Sequence, residues 1–492
     1  MTAAGWAMAV PLAGAVVTAV IPRGRIRARG AVAAVAAVLA CATAFVVAFQ
    51  VASDGVVREP ILRAGGLEVD FHADGVAAAL LVTTGVVNVG AVAYAYGYFA
   101  DQRSHAASAF WPRWLTLHAA MAGVYLLNHT FALYVAFEVI GVAAVGLVVL
   151  DETRAAVVAG LRYLVVAVSG SLLYLAGAVV LWAETGLLDI HAMGAGTVGG
   201  PLVAVALALM TVGLLLTAAV FPLHFWLPTA HTIAPSPASP ILSALVLKVY
   251  FYAVVVLWFQ ALPGVATAAG AGLLAVAGAS AIAWGGVMAL RQTSVKRLVA
   301  YSTLSQMGYL WLIPAMLVHE GAVPAPESAA WYGWHGGVYY AIAHSSAKAA
   351  MLMAAGALVR ASGGDDIERL RGAARGAPLS TFAFALAGVN LVGLPPTGGF
   401  VGKWYLLTAA FASGQWWIVA VVLAGGGLTA AYLVRVLGKA FADAEPGYAS
   451  LPRAVQLAPL ALTLLTVALG FRAIEVLAVL EVGAPGQVGG GG

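Results

Sequence analysis

Long apolar stretches recur along the whole chain, separated by short breaks of glycine, proline or charged residues. A helix needs about 20 mostly apolar residues to cross the hydrocarbon core of a bilayer, and each stretch is close to that length. We count fourteen, beginning near residues 3, 31, 74, 112, 130, 157, 201, 238, 264, 296, 334, 379, 416 and 454. The pattern predicts an all-α, polytopic membrane protein with about fourteen transmembrane helices. The longest intervals between stretches, about residues 53–73, 184–200 and 318–333, are predicted to be ordinary loops.

Two of the stretches contain residues that break helices. The seventh runs into FPLHFWLPTAHTIAPSPASP, and the twelfth contains LPPTGG. Proline removes a backbone hydrogen bond and ends or kinks a helix, so both helices are predicted to be interrupted. Broken helices at corresponding positions are typical of transporters built from inverted repeats, and these two lie five segments apart.

This spacing predicts a single membrane domain over residues 1–492 that contains two repeats of five helices. The predicted parts are helices 1–3 (1–110), the first repeat with helices 4–8 (111–260), the second repeat with helices 9–13 (261–440), and the last helix with a disordered tail (441–492).

Composition strengthens the membrane prediction. Of 492 residues, 62% are hydrophobic and only 9% are charged, against about a quarter charged in soluble domains. The chain has no CxxC array, no dinucleotide fingerprint and no phosphate-binding loop. We therefore predict no cofactor, no metal site and no enzymatic activity in the chain itself.

Basic residues are concentrated in alternate loops. Four arginines between residues 23 and 29 follow the first stretch, and if that loop is cytoplasmic, only Arg58, Arg63 and Arg472 lie in outer loops. Cytoplasmic loops carry an excess of lysine and arginine, so we predict a multi-pass protein of a prokaryotic cell membrane with both termini on the outer face. Orientation and contact with anionic lipid account for the net charge of +4 without a nucleic-acid partner.

Five ionisable residues interrupt the apolar stretches at membrane depth. The motifs are VAFEVIGV around Glu138, LVLKVYFY around Lys248, FVGKWYLL around Lys403, and HSSAKAAM with His344 one helical turn before Lys348. Arginine stays charged at any depth, whereas a buried lysine can release its proton. Ionisable groups inside a membrane are costly and usually mark an ion or proton path. We therefore predict that these five residues form a proton pathway.

Several motifs together resemble the antiporter-like membrane subunits shared by respiratory complex I (NADH-quinone oxidoreductase), membrane-bound hydrogenases and Mrp-type Na+/H+ antiporters. FPLHFWLPTAH, APSPASPILSALVLK, VKRLVAYSTLSQMGY, AHSSAKAAMLMAAG and GLPPTGGFVGKW occur in family order between about residues 110 and 440. The chain is most similar to the D subunit of Mrp antiporters; that subunit and the complex I subunits of the same kind carry a lysine at the position of Lys403. The resemblance implies a hetero-oligomeric membrane complex that moves protons. Sodium prefers oxygen ligands, and Glu138 is the carboxylate clearly available inside the membrane, so we predict any Na+ path in a partner subunit.

The buried charges themselves suggest a route for the proton, which we state as a hypothesis. The proton enters toward Lys248, passes His344 and Lys348, and leaves by Lys403, with Glu138 moving charge at the other end. Hydroxyl groups that could order water beside this route belong to Ser302, Ser305 and Tyr309.

One position departs from the family pattern. The family's seventh-helix lysine is replaced here by Thr217, four residues before the phenylalanine of FPLHFW. Glu138 therefore lacks its usual partner. Three explanations stay open: His224 or His231 substitutes, a neighbouring subunit lends a base, or the first half-channel is impaired.

Two other functions also stay open for the chain. It could be a proton-pumping subunit of a redox-driven complex, or a non-conducting coupling or scaffold subunit.

Overall fold

The structure, a computed structural model, describes residues 2–64, 67–100, 105–196, 198–318, 327–444 and 447–485. Part of the predicted loop 318–333 and most of the predicted C-terminal tail lie outside the described residues. The α-helices, in chain order, are α1 Ala3–Val20, α2 Ile26–Asp54, α3 Gly75–Phe99, α4 His105–Leu126, α5 Thr130–Val148, α6 Arg154–Thr185, α7 Ile190–Ala195, α8 Pro201–Thr217, α9 Leu227–Ile233, α10 Ser239–Ile241, α11 Leu247–Val256, α12 Ala268–Leu290, α13 Val295–Gly308, α14 Ile313–Val318, α15 Ala329–Ser362, α16 Ala373–Gly376, α17 Pro378–Val392, α18 Gly398–Ala412, α19 Trp416–Ala440, α20 Arg453–Phe471 and α21 Ala473–Leu480.

Helix length and hydropathy agree with a polytopic membrane protein. Within the described residues, ten helices are long and apolar enough to cross a membrane, and α8 and α17 are shorter apolar helices. The mostly helical membrane architecture is therefore confirmed, while the count of fourteen spans stays a prediction.

Capping residues set several helix ends. The hydroxyl of Thr153 accepts a hydrogen bond from the Ala156 amide at the start of α6, and Ser328 accepts one from Trp331 at the start of α15. Such side chains satisfy amides that have no partner within the helix. Helix α15 ends at Gly363, whose φ of 71° is a conformation that other residues rarely adopt.

The region between α2 and α3 differs from the prediction made from the sequence. It was predicted as an ordinary loop, but β1 (Val57–Ala64) and β2 (Leu67–Ala73) pair as an antiparallel hairpin. In β2 the apolar Val69 and Phe71 alternate with acidic and histidine residues, which is the period of a strand. This alternation was available in the sequence and was missed. A second predicted loop, residues 184–200, contains the short helix α7.

Two helices at the centre of the bundle are enclosed by protein on all sides. The helix Ser239–Ala261, which includes α10 and α11 and two π-helical stretches, is 100% buried over its apolar window, and α15 is 94% buried. The corresponding values are 39% for α1 and 33% for α20. The two most enclosed helices carry Lys248, His344 and Lys348, so these ionisable groups face protein and not lipid.

Both predicted helix breaks are present. Helix α8 ends at Thr217 and α9 begins at Leu227, while α17 ends at Val392 and α18 begins at Gly398. Interrupted backbone is tolerated at membrane depth where it is buried in protein. The second break therefore places backbone carbonyl groups inside the bundle, where side chains can bind them.

Candidate proton path

Lys348 is buried in the middle of α15, and its partner is a hydroxyl group. Its Nζ atom donates a hydrogen bond to Ser302 Oγ on α13, and that hydroxyl in turn donates to the Val299 carbonyl at 2.8 Å. Among the described residues, no ion pair involves any of the three membrane-depth lysines. A buried ammonium group without a carboxylate partner is costly, so Lys348 is poorly suited to a static structural role.

Lys248 is linked to α13 through Ser243. Its Nζ donates to the carbonyl oxygen of Ser243 at 3.1 Å, and Ser243 lies in the π-helical stretch Leu242–Val246. The Ser243 hydroxyl shares a 2.8 Å hydrogen bond with the hydroxyl of Thr303. Since Thr303 follows Ser302 on α13, consecutive residues of one helix connect two lysines from different helices.

Lys403 lies directly after the second helix break. Its Nζ donates to the carbonyl oxygens of Leu391 at 2.7 Å and Val392 at 3.2 Å. These carbonyls belong to the last turn of α17, where no amide within the helix can satisfy them. The Lys403 Nζ also lies 4.2 Å from the centroid of the Tyr309 ring, a cation–π geometry. The carbonyls exposed at the break therefore bind the ammonium group of Lys403 on α18.

His344 is buried on α15, one helical turn before Lys348. Its ring stacks on Tyr340 with the centroids 5.8 Å apart, and the Tyr340 ring centroid lies 5.8 Å from Lys403 Nζ. The buried Nε2 atom of His344 has no hydrogen-bond partner among the described residues. Through these neighbours, Lys248, His344, Lys348 and Lys403 form one buried group, the lysine cluster.

A second polar connection extends from α13 toward Lys403. The Tyr340 hydroxyl donates to Gln306 Oε1, and Gln306 Nε2 donates to the Thr429 hydroxyl of α19 at 2.9 Å. The Tyr340 ring centroid is 5.8 Å from Lys403 Nζ. Thr303, Gln306, Tyr340 and Thr429 were not predicted from the sequence. The signal for two of them was available, because Thr303 and Gln306 share a helical face with Ser302.

The auxiliary residues predicted beside the path have different roles. Ser302 contacts Lys348 directly, whereas the Ser305 hydroxyl donates to the Ile282 carbonyl of α12 at 3.0 Å and is not brought to the lysines. Tyr309 offers its ring to Lys403, while its hydroxyl is 3.5 Å from the Val422 carbonyl.

This difference between two serines of one helix gives a matched test. We expect Ser302→Ala to lower the rate of proton transport about tenfold, because Lys348 loses the hydroxyl that accepts from it. We expect Ser305→Ala to transport at the wild-type rate. The rates are measured as proton flux into sealed vesicles that hold equal amounts of each complex. Equal losses in both variants would contradict the assignment of Ser302.

Glu138 is not joined to this cluster. It is half-buried on α5, and the Ser171 hydroxyl of α6 donates to its Oε1 atom. On its other side it lines a groove between α4 and α5 together with Arg113, whose Nη1 donates to the Gly146 carbonyl at 3.0 Å. Among the described residues, no hydrogen bond or ion pair connects Glu138 to a lysine.

Thr217 occupies a tightly packed position. Its hydroxyl donates to the carbonyls of Gly213 at 3.2 Å and Leu214 at 3.0 Å in its own helix. A Cβ atom on Gly170 of α6 would lie 2.6 Å from the Thr217 methyl group. The hydroxyl is therefore satisfied locally, and it offers neither a charge nor a base to Glu138.

The two candidate substitute histidines lie in different surroundings. His231 is buried in α9, and neither ring nitrogen has a hydrogen-bond partner among the described residues. His224 is half-buried in the helix break and stacks on Phe221 at 5.4 Å. Neither histidine has a described contact with Glu138.

The sequence and the fold both match known proteins. A family model described as NADH:quinone oxidoreductase/Mrp antiporter, TM, matches residues 128–429. The chain is 31% identical over 382 residues to the N subunit of NADH-quinone oxidoreductase from Desulforudis audaxviator, covering 77% of this chain and 74% of that protein. It is 28% identical over 398 residues to the D subunit of the Na(+)/H(+) antiporter from Alkalihalophilus pseudofirmus, covering 77% and 76%.

Two solved structures share the fold over almost the whole chain. One is a chain of the Mrp complex from Dietzia sp. DQ12-45-1b, with a TM-score of 0.87 and 24% identity over 99% of this chain and 98% of that one. The other belongs to a membrane-bound sulfane sulfur reductase, an archaeal respiratory membrane complex, with a TM-score of 0.84 and 24% identity over 98% and 96%. Both structures are of complexes.

Proposed function

Because the chain belongs to the NADH:quinone oxidoreductase/Mrp antiporter transmembrane family, we propose that it is the proton-translocating subunit of a multi-subunit, Mrp-type cation/proton antiporter, similar to the D subunit of such antiporters. One observation carries this proposal: Lys248, Lys348 and Lys403 are buried without carboxylate partners among the described residues, and polar side chains of α13 lie beside all three. These side chains hydrogen-bond to Lys348 directly, to Ser243 beside Lys248, and to Tyr340, whose ring faces Lys403. This arrangement supports groups that gain and lose protons.

The proposed transfer is stepwise. A proton enters toward Lys248, passes His344 and Lys348, and leaves by Lys403. The hydroxyl of Ser302 can both donate and accept, so it stays hydrogen-bonded to Lys348 in either protonation state of the lysine. Two ammonium groups repel each other strongly in a medium of low dielectric constant. A proton that arrives at one lysine therefore favours onward movement of the proton on its neighbour.

Several finer features of the fold belong to this proposal. Fourteen membrane spans, two inverted repeats of five helices, and both termini on the outer face of a prokaryotic cell membrane remain our interpretation. The packing of the interrupted helices supports the two repeats. Helix α8 packs against α6, and both α17 and α18 pack against α15. In each predicted repeat, the interrupted helix thus packs against the third helix.

Sodium is proposed to follow a path in a partner subunit. A hard cation prefers oxygen ligands, and within the part of the chain that the structure describes few carboxylates face the interior. Glu138 accepts from Ser171, and the buried Asp74 already accepts from the Ala77 amide at 2.7 Å and from Gln260 at 2.6 Å. These contacts support the proposal that this subunit carries protons.

A neighbouring subunit is proposed to supply the missing partner of Glu138. The groove that Glu138 and Arg113 line lies on the outside of the bundle, where another membrane subunit can contact it. A base on that subunit would take the place of the lysine that Thr217 replaces. This explanation is favoured over His224 and His231, which have no described contact with Glu138.

A redox-driven complex is the alternative setting, favoured by the 31% identity to the N subunit of NADH-quinone oxidoreductase. Purification of the native complex in mild detergent, with every partner identified by mass spectrometry, distinguishes the two. We expect small multi-pass antiporter subunits without iron–sulfur or flavin proteins. Peripheral redox subunits in stoichiometric amounts would instead assign the same proton path to a redox-driven pump.

A further inference from the structure

His335 and Glu481 form a close pair away from the lysine cluster. His335 lies near the beginning of α15 with its side chain fully buried, whereas the side chain of Glu481, which follows α21, is 42% exposed. The His335 Nε2 atom is 3.3 Å from Glu481 Oε1. One member of the pair is therefore enclosed by protein and the other reaches the surface.

One hydrogen bond fixes the tautomer of His335. His335 Nδ1 is 2.8 Å from the Trp331 carbonyl oxygen, and because a carbonyl can only accept, Nδ1 carries a hydrogen. In a neutral imidazole the other nitrogen, Nε2, is then an acceptor, and an ionised carboxylate is also an acceptor. The two acceptors are 3.3 Å apart, and the buried Nε2 has no hydrogen-bond partner among the described residues. A proton bound by His335 Nε2 therefore lies next to the carboxylate oxygen that can take it up.

A tryptophan holds both members of the pair in place. The Trp331 indole Nε1 donates to Glu481 Oε1 at 2.8 Å, and the Trp331 ring lies 4.1 Å from the His335 ring, centroid to centroid. These contacts orient the carboxylate toward the imidazole. They also attach the end of α21 to α15, so the pair has a structural role that any test must separate from proton transfer.

His335 of this pair lies on the same helix as part of the proposed proton path, closer to the beginning of α15. His335 and Lys348 share α15, and their separation of thirteen positions corresponds to about 20 Å at 1.5 Å per residue. Tyr340, whose ring faces Lys403, is about 7.5 Å from His335 along the helix axis. A Cβ atom on Gly336 would lie 2.5 Å from Tyr405 of α18, so α15 and α18 are in close contact there. The pair thus lies between the Lys403 region and the end of the bundle.

We propose that His335 and Glu481 form the site at which protons leave this subunit, on the membrane face where α15 begins. A proton that leaves Lys403 binds His335 Nε2, the N–H bond then breaks as an O–H bond forms at Glu481 Oε1, and the carboxyl group releases the proton to water. Both side chains return to their starting state, and one proton has moved. This inference rests on the proposed function and adds the residues at which the proton leaves the path.

Glu481→Gln separates titration from structure. Both contacts of the pair meet at Glu481 Oε1, so glutamine keeps one of them, acceptance from the Trp331 indole or donation to His335 Nε2, and it cannot take up a proton. We expect an assembled complex whose proton flux into sealed vesicles falls at least about tenfold. Glu481→Asp keeps a carboxylate and is expected to regain part of that rate. Glu475→Gln is the matched control, since Glu475 on α21 pairs with Arg472 at 2.6 Å, and it should transport like the wild type.

The outcomes separate this inference from the proposed function. Wild-type flux in Glu481→Gln, together with no flux in Lys403→Ala, would overturn the exit site and leave the proton path in place. Equal losses in Glu481→Gln and Glu481→Asp would assign the residue to packing and also overturn the exit site. Normal flux in Lys403→Ala would overturn the proposed function, and the exit site with it.

Discussion

Replacing Lys403 with alanine is expected to abolish proton transport, a loss of at least about a hundredfold, while the complex stays assembled. Lys403 provides the cation that binds the Leu391 and Val392 carbonyls at the second helix break. Alanine removes the side chain that carries the proton out of the cluster. It also removes a buried ammonium group, and relief of that desolvation cost offsets the lost hydrogen bonds. Proton flux into sealed vesicles measures the effect.

Lys439→Ala is the matched control for this variant. Lys439 lies on α19 and pairs with Glu368 at 2.7 Å, with 35% and 61% of the two side chains exposed. Exposed ion pairs contribute little to stability, about 0–1 kcal/mol, so this variant should assemble and transport normally. Loss of the assembled complex in Lys403→Ala would mean that the residue stabilises the helix break. Normal flux in assembled Lys403→Ala would remove Lys403 from the path.

Much of the architecture could be predicted from sequence because each signal is local. Apolar stretches of membrane-spanning length give the helices, and the proline-rich segments give both breaks, between Thr217 and Leu227 and between Val392 and Gly398. The hairpin Val57–Ala73 was missed because its strands are short and lie next to long apolar helices. A period of two over seven residues in β2 is a weak signal beside them.

The ionisable members of the candidate site were predictable for a similar reason. A charged residue within an apolar stretch is costly and stands out, and four of the five predicted residues do come together. Glu138 lies apart because its surroundings depend on the packing of α4, α5 and α6, which no local pattern specifies. That assignment stays a prediction for the assembled complex, where a further subunit can cover the groove.

The polar connections between the lysines could not be predicted in full. Periodicity places Ser302, Thr303 and Gln306 on one face of α13, but it does not tell which helices that face contacts. Thr429 follows Gln306 by 123 residues, and Glu481 follows His335 by 146, and such contacts arise only from the tertiary arrangement. Sequence therefore predicts the carriers of charge, while the structure supplies the groups that connect them.

Lys348→Arg is expected to stop proton transport although it preserves a positive charge. The guanidinium group can still donate to the Ser302 hydroxyl, but arginine stays protonated at any accessible pH. If Lys348 only provided a fixed charge for the cluster, arginine would serve. If Lys348 gains and loses a proton in each transfer, arginine blocks the path. Lys439→Arg makes the same change at an exposed ion pair and should leave transport unchanged.

The most direct test of a lysine proton path is the rate of pH change inside sealed vesicles that hold the purified native complex, with wild type and Lys348→Arg at equal content. We predict a pH change with the wild-type complex and with Lys439→Arg, and a loss of at least about a hundredfold with assembled Lys348→Arg. A wild-type rate in Lys348→Arg would contradict the proton path, because the buried charge would then act without exchanging a proton.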